Sequence, residues 1–434
     1  MTSSFNRRTG LAAVALAVAS FTAPTWAATD IKLWTLLSGG DGARLATLVD
    51  GFNASQSDYK VETTTLPWGV PFYTKVRTAS AVGAGPDLIN LHLSRMGDFG
   101  PSGALRALAS AELAAAGIVG TDYAERQWQK GQYNGQTYAI PLDTHALVLY
   151  YNKTLVAKAG LADAAGNLKP IEGIAALTDA FRAVKEKAGT DAFAMESNTN
   201  SYMGYRLWLS MLAQRGGKML DNGKLAYGEA GVDSMKVITD WFSKGYAAKN
   251  LDYPAANAQF LSGKAAFMLN GVWEVPSMVD LSASKKLPFE YGIVPLPKLY
   301  ANQSVWGDSH AFAVPDNKGK PITPERLKGA LKFVDYVGRH SITWAGGGHI
   351  PAFSAVADSD ALKAMKPNNE FSGVVAKNIV FSPEGWYGGA AGPLEASAAK
   401  YFPAAMTGQL PVDKALGMFD AEAKKLLASP RPAK

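Results

Sequence analysis

FLSGKAAFMLNGVW, residues 260–273, decides how this chain is read. A polar helix end at Phe260–Gly263 runs into a small apolar strand, Ala265–Leu269. Asn270-Gly271 then predicts a tight turn, and Trp273 follows it. An indole is thereby expected at the carboxyl end of a strand, where open α/β sheets bind ligands. The arrangement points to a small-molecule receptor with an aromatic platform rather than to an enzyme.

On either side, short apolar strands alternate with amphipathic helices. Ile31–Leu36 reads as a strand, and Leu45, Leu48, Val49 and Phe52 follow at helical spacing. Tyr59–Thr65 is a second strand. Pro71 starts a helix carrying Phe72, Val76 and Ala79, and Pro86–Leu91 is a third strand. A β-α-β-α-β start predicts a parallel sheet with right-handed crossovers. The theme recurs after Ile140-Pro141, with Ala146–Tyr151 and Ala192–Met195 as strands between helical stripes. Two α/β lobes are expected. Tyr291–Pro297 and His349-Ile350-Pro351 are proline-punctuated and so read as extended links.

Composition narrows the class. Arg7-Arg8, the apolar run Leu11–Val18, Pro24 and Thr25-Trp26-Ala27 form an export signal, with cleavage expected between Ala27 and Ala28. The twin arginines match a Tat signal only in part, and the Sec route fits better. Beyond it no apolar run is long enough to span a membrane. The chain has no cysteine, which excludes disulfides, thiol catalysis and zinc-thiolate sites. An unanchored periplasmic protein is the expectation. Without residues 1–27, which hold two arginines and no acid, the 43 basic residues fall to 41 against 37 acids, a net +4. A charge this mild, with no like-charged block, gives no support to nucleic-acid binding.

Four blocks carry a family resemblance. They are GAGPDLINLHLSRMGDFGPSGAL (83–105), YAIPLDTHALVLYYNKTLVAKAGL (138–161), FLSGKAAFMLNGVW and YGIVPLPK (291–298). In this order they resemble the extracellular solute-binding proteins of carbohydrate ABC importers, the family of maltose-binding protein. The resemblance implies an α/β, two-lobe periplasmic-binding-protein fold of type II, with three hinge crossings and a ligand cleft between the lobes. The crossings would lie near Ile140–Thr144, Ile293–Pro297 and Gly348–Ala352. Residues 28–141 plus 297–347 would form lobe 1, and 142–296 plus 348–434 lobe 2. It also implies a monomer that closes over a carbohydrate and delivers it to a membrane permease, with no cofactor and no metal.

Site candidates follow from the residues and from the resemblance together. Trp273 is the stacking face, since an aromatic ring buries the C–H face of a sugar and leaves its hydroxyl rim free. Trp386-Tyr387, between glycines, and Trp68, past the second strand, are further aromatic candidates. Trp34, Trp208 and Trp241 read as core. Asp41 opens the first strand-to-helix loop and can accept sugar hydroxyls. His92 ends the third strand. Arg95 matches a sugar-contacting arginine of the family, although Ser94 stands where the family often has an acid. Asp143 and His145 lie at the first crossing, His145 in place of an acidic contact. Asn198, Tyr202, Trp306, Asp308 and His310 complete the set.

Enzyme motifs are missing: there is no G-x-S-x-G, P-loop or H-E-x-x-H, and Ser282–Lys285 fits S-x-x-K with no companion motif. Three of the five histidines could converge on zinc, but sugar contacts explain them more simply. Asp41 and Asp308 leave a periplasmic glycoside hydrolase as the rival of another class. A polyol, an amino sugar or a glycerophosphodiester is the rival ligand.

Overall fold

A computed structural model describes residues 1–2 and 28–431. The expected export signal lies almost wholly outside the described residues. Two sheets organise the chain. Their strands are β1 (Thr29–Thr35), β2 (Tyr59–Thr65), β3 (Leu88–His92), β4 (Ala139–Pro141), β5 (Asp143–Asn152), β6 (Asp191–Ala194), β7 (Ala265–Gly271), β8 (Tyr291–Pro295), β9 (Val305–Asp308), β10 (His310–Ala313), β11 (Ile350–Pro351) and β12 (Ile379–Val380).

The first sheet has the order β2-β1-β3-β10-β4. β1 pairs in parallel with both β2 and β3, as the alternation of strands and helices predicts. β10 inserts antiparallel between β3 and β4, bringing His310 opposite His92. In β1, Ile31, Leu33 and Thr35 are buried while Asp30 and Lys32 are exposed. That period of two presses one face of the strand onto the helix Pro324–Arg339.

The second sheet is built on β5, whose ten residues are all buried. Along its length β5 pairs with β11 (at 143–144), β9 (145–146), β7 (147–151) and β8 (148–152), all antiparallel. Pairing on this scale explains its unbroken apolar run ALVLYY, which a half-solvated strand would interrupt with polar residues.

Each sheet has its own hydrophobic core. The chain leaves the first sheet at Leu142, between β4 and β5, and returns to it at Ser309, between β9 and β10. The middle crossing is therefore not at 293–297, because β8 pairs with β5 and stays in the second sheet. Leu299, Val305 and Trp306 also pack in the second core, whereas a boundary at residue 297 assigns them to the first. At the third link the chain touches both cores: Ile350 packs in the second core, while Trp344 before it and Ala352 and Phe353 after it pack in the first. Trp208 and Trp241 are buried core residues, and the partly buried Trp34 packs against the first core. Among the described residues no helix is long and apolar enough to cross a membrane.

Candidate functional site

A cavity of about 530 Å³ lies between the two sheets. The first lobe lines it with the segment Leu36–Asp41, Trp68, His92 and His310. From the second come His145, Glu196, Tyr202, Met203, Arg206, Tyr253, Trp273, Glu274, Ser277 and Trp306. Several stand at strand ends: His92 closes β3, Glu196 lies just beyond β6, and Trp273 lies just beyond β7.

Trp273 reaches the cavity by a route the sequence does not suggest. Asn270-Gly271 is not a tight turn. β7 stays extended through Gly271 (φ −96°, ψ 169°), and a short 3-10 turn, Val272–Glu274, follows. Gly271 is needed for space: a Cβ there would lie 2.1 Å from the Trp273 ring. The indole folds back over the end of its own strand, and its Nε1–H donates to the Tyr253 hydroxyl at 2.7 Å. The Tyr253 hydroxyl in turn donates to Glu274. Gly271→Ala is expected to displace the ring, costing about 1–3 kcal/mol of stability through overpacking and weakening ligand binding with it. Thermal unfolding and titration calorimetry on that variant would check both effects.

The aromatic rings surround a cation. The Arg206 guanidinium sits 4.2 Å from the Trp306 ring centroid and 5.7–5.9 Å from those of Trp68, Tyr202 and Trp273. Its Nε–H donates to the buried carboxylate of Glu395 at 2.9 Å. Trp68, on the first lobe, meets Tyr202, on the second, edge-on at 5.6 Å across the cleft.

The polar floor is a group of imidazoles. Rings of His92, His145 and His310 stand 4.3–5.6 Å apart. Burial pushes His92 well below the ordinary histidine range, and it pushes His145 down to about 3, helped by His310. Both rings are therefore neutral at physiological pH, and each can donate and accept a hydrogen bond. Asp143 lies beneath them, fully buried. Burial raises its carboxyl, but His310, His349 and His145 outweigh this and hold it well below the carboxylate range. His349 bridges Asp143 and Asp41. Burial lowers its imidazole, but those two carboxylates hold it up at about 10. Glu196 and Glu274 are raised, chiefly by burial.

Of the residues anticipated from sequence, Asp41, Trp68, His92, His145, Tyr202, Trp273, Trp306 and His310 line the cavity. Six do not. Arg95 is buried away from it because Asp98, three residues on, takes its guanidinium at 2.7 Å and Tyr73 stacks beneath it at 4.7 Å. Asp143 supports the imidazoles from below. Asp308 is buried and accepts from the Ser94 and Ser309 amides; burial lifts its carboxyl to about 6. Asn198 lies outside the lining, its backbone N–H donating to the Leu251 carbonyl. Trp386 packs on Tyr387, which lies against the second core instead of the cavity.

Glu196, Arg206, Tyr253, Glu274 and Ser277 were not anticipated. Three left a trace in the sequence: Arg206 is four residues from Tyr202, hence on the same helix face, and Glu274 adjoins Trp273. Glu196 directly follows a short strand, a position that open sheets use for ligands.

The chain matches the family model of bacterial extracellular solute-binding proteins over residues 38–342. It is similar to the maltodextrin-binding protein MdxE of Bacillus subtilis, 26% identical over 229 residues, which are 50% of this chain and 49% of that protein. It is also similar to the maltotriose-binding protein of Pyrococcus abyssi, 24% identical over 232 residues, 52% of this chain and 44% of that one. The matched region thus spans about half the length of these relatives. Among solved structures, the GacH receptor of Streptomyces glaucescens superposes with a TM-score of 0.78 at 22% identity, covering 94% of this chain and 100% of that one. UgpB of Mycobacterium tuberculosis, solved with glycerophosphocholine, gives 0.77 at 18% identity, covering 92% and 98%. These similarities establish the two-lobe fold, and the family match over residues 38–342 settles membership: the chain belongs to the bacterial extracellular solute-binding proteins.

Proposed function

We propose that this protein is a monomeric periplasmic receptor that captures a mono- or oligosaccharide, hands it unaltered to the permease of an ABC importer, and closes by hinge bending around the crossings at Leu142 and Ser309 and the link around Ile350. The observation that carries the reading is the composition of the cavity. Indole faces stand beside the carboxylates Asp41, Glu196 and Glu274 and the neutral imidazoles His92 and His145. A sugar needs both: an apolar plate for its C–H face and a mixed set of donors and acceptors for its rim. The volume falls within the range of about 300–1,000 Å³ usual for small-molecule sites.

Two rivals fit less well. A glycoside hydrolase using Asp41 and Asp308 would need both carboxylates at the substrate, and Asp308 lies outside the cavity. A phosphodiester would need free positive charge. The guanidinium lining the cavity, Arg206, is already paired with Glu395, and three carboxylates share the space.

The test is a thermal-shift screen followed by calorimetry. Maltose and longer maltooligosaccharides are the first ligands to try, with mannobiose and glycerophosphocholine alongside. A ligand present at 100 times its dissociation constant stabilises the folded state by about 2.7 kcal/mol, a visible rise in melting temperature. Stabilisation by glycerophosphocholine and by no sugar would overturn the reading, as would turnover of a chromogenic glycoside.

A further inference from the structure

We propose a structural divalent-cation site, of the zinc type, formed by Asp143, His145, His310 and His349 at the junction of the three connections between the lobes. Each of the four side chains is at least 95% buried, and they offer ligand atoms that all lie within 4.8 Å of one another. The Nδ1 atoms of His145, His310 and His349 stand 3.1, 2.7 and 3.1 Å from the Asp143 carboxylate oxygens. Ligands bound at 2.0–2.1 Å in a tetrahedron are about 3.3 Å apart, so small side-chain rotations would seat an ion. With no cysteine in the chain, imidazole and carboxylate are the donors available to such an ion.

The hydrogen bonds around the cluster point the same way. Asp143 already accepts from Trp344 Nε1–H and from the His310 amide, both at 2.8 Å. Those two bonds orient the carboxylate as the outer partners of a metal-ligating carboxylate do. His349 Nδ1, fully buried, has no hydrogen-bond partner, for its approach to Asp143 is misaligned. Its other nitrogen, Nε2, lies 2.9 Å from Asp41 Oδ1. A ring whose Nε2–H is held by a carboxylate while its Nδ1 lone pair faces inward is the carboxylate–histidine–metal arrangement. Four protein ligands leave no open position, so the ion would hold structure and perform no chemistry. His145 and His310 border the cavity, which gives the ion its entry path. The competing account is a metal-free imidazolium at His349 bridging the two carboxylates.

Protein stripped with a strong chelator and re-metallated with ZnCl2 or CoCl2 tests the site. Bound metal per chain after gel filtration is expected to be one equivalent. The cobalt form should show the intense visible absorption of tetrahedral coordination. His349→Gln removes a ligand and should weaken zinc binding by at least about 100-fold. Asp41→Asn keeps all four ligands and alters only the partner of Nε2, so a 10–100-fold loss is expected. Should His349→Gln fail to fold, Asp41→Asn decides. No retained zinc in the wild-type chain at micromolar metal, or undiminished binding in the variant that folds, would overturn the site in favour of the imidazolium bridge. Sugar affinity is not the readout, so this result stands apart from the carbohydrate assignment.

Discussion

Trp273→Ala is expected to weaken carbohydrate binding by about 2 kcal/mol or more, roughly thirtyfold in dissociation constant. The indole is half-buried and held from two sides. Its nitrogen is tied to Tyr253, and its ring stands edge-on to His145 and Trp306 at 5.9 and 6.4 Å. A plate so fixed loses little entropy when a sugar stacks on it, so most of the contact energy reaches the binding constant. Alanine removes the apolar contact, and it also frees the Tyr253 hydroxyl from one partner. Trp273→Phe should recover part of the affinity, since the ring returns without the nitrogen. Calorimetry on the two variants separates contact from hydrogen bond. Unchanged affinity in Trp273→Ala would remove this residue from the site.

Arg206→Met should destabilise the second lobe by about 3–5 kcal/mol. Its guanidinium and the Glu395 carboxylate are both buried, Arg206 lining the cavity and Glu395 standing behind it. Methionine fills much of the volume but leaves Glu395 charged in a dry setting. Its remaining partner would be the Ala391 amide at 2.6 Å. A charge stranded in that way costs far more than the intact pair contributes. Arg206→Met combined with Glu395→Gln should regain most of the loss, because the amide oxygen still accepts from Ala391 and no charge remains. Urea unfolding of the single and double variants gives the comparison. Full stability in the single variant would mean that the pair is more hydrated than its burial implies. Sugar affinity should fall in both variants, for the guanidinium donors facing the cavity are gone.

The fold was readable wherever neighbours along the chain decide it. β1, β2 and β3 show their faces by alternation or by unbroken apolar runs, and Trp273 follows from the strand it ends. The middle crossing was not readable. Tyr291–Pro295 looks like a link because proline ends it, yet its pairing with β5, some 140 positions earlier, keeps it in the second sheet. The same limit applies to the site. Arg95 carries a family signature, and a single neighbour, Asp98, turns it away. His349 sits in a plain proline link, and its meeting with Asp41 and Asp143 depends on three segments more than 100 residues apart. No local pattern encodes such a convergence.

The place of β10 has a consequence for how the molecule is made. This strand fills the gap between β3 and β4, so a chain synthesised only as far as residue 309 holds an incomplete first sheet with two unsatisfied edges. Non-local pairing of this kind delays folding. On the Sec route expected from residues 1–27, where the chain must stay unfolded to be threaded through a pore, that delay would give time, at the risk of clumping through its open edges.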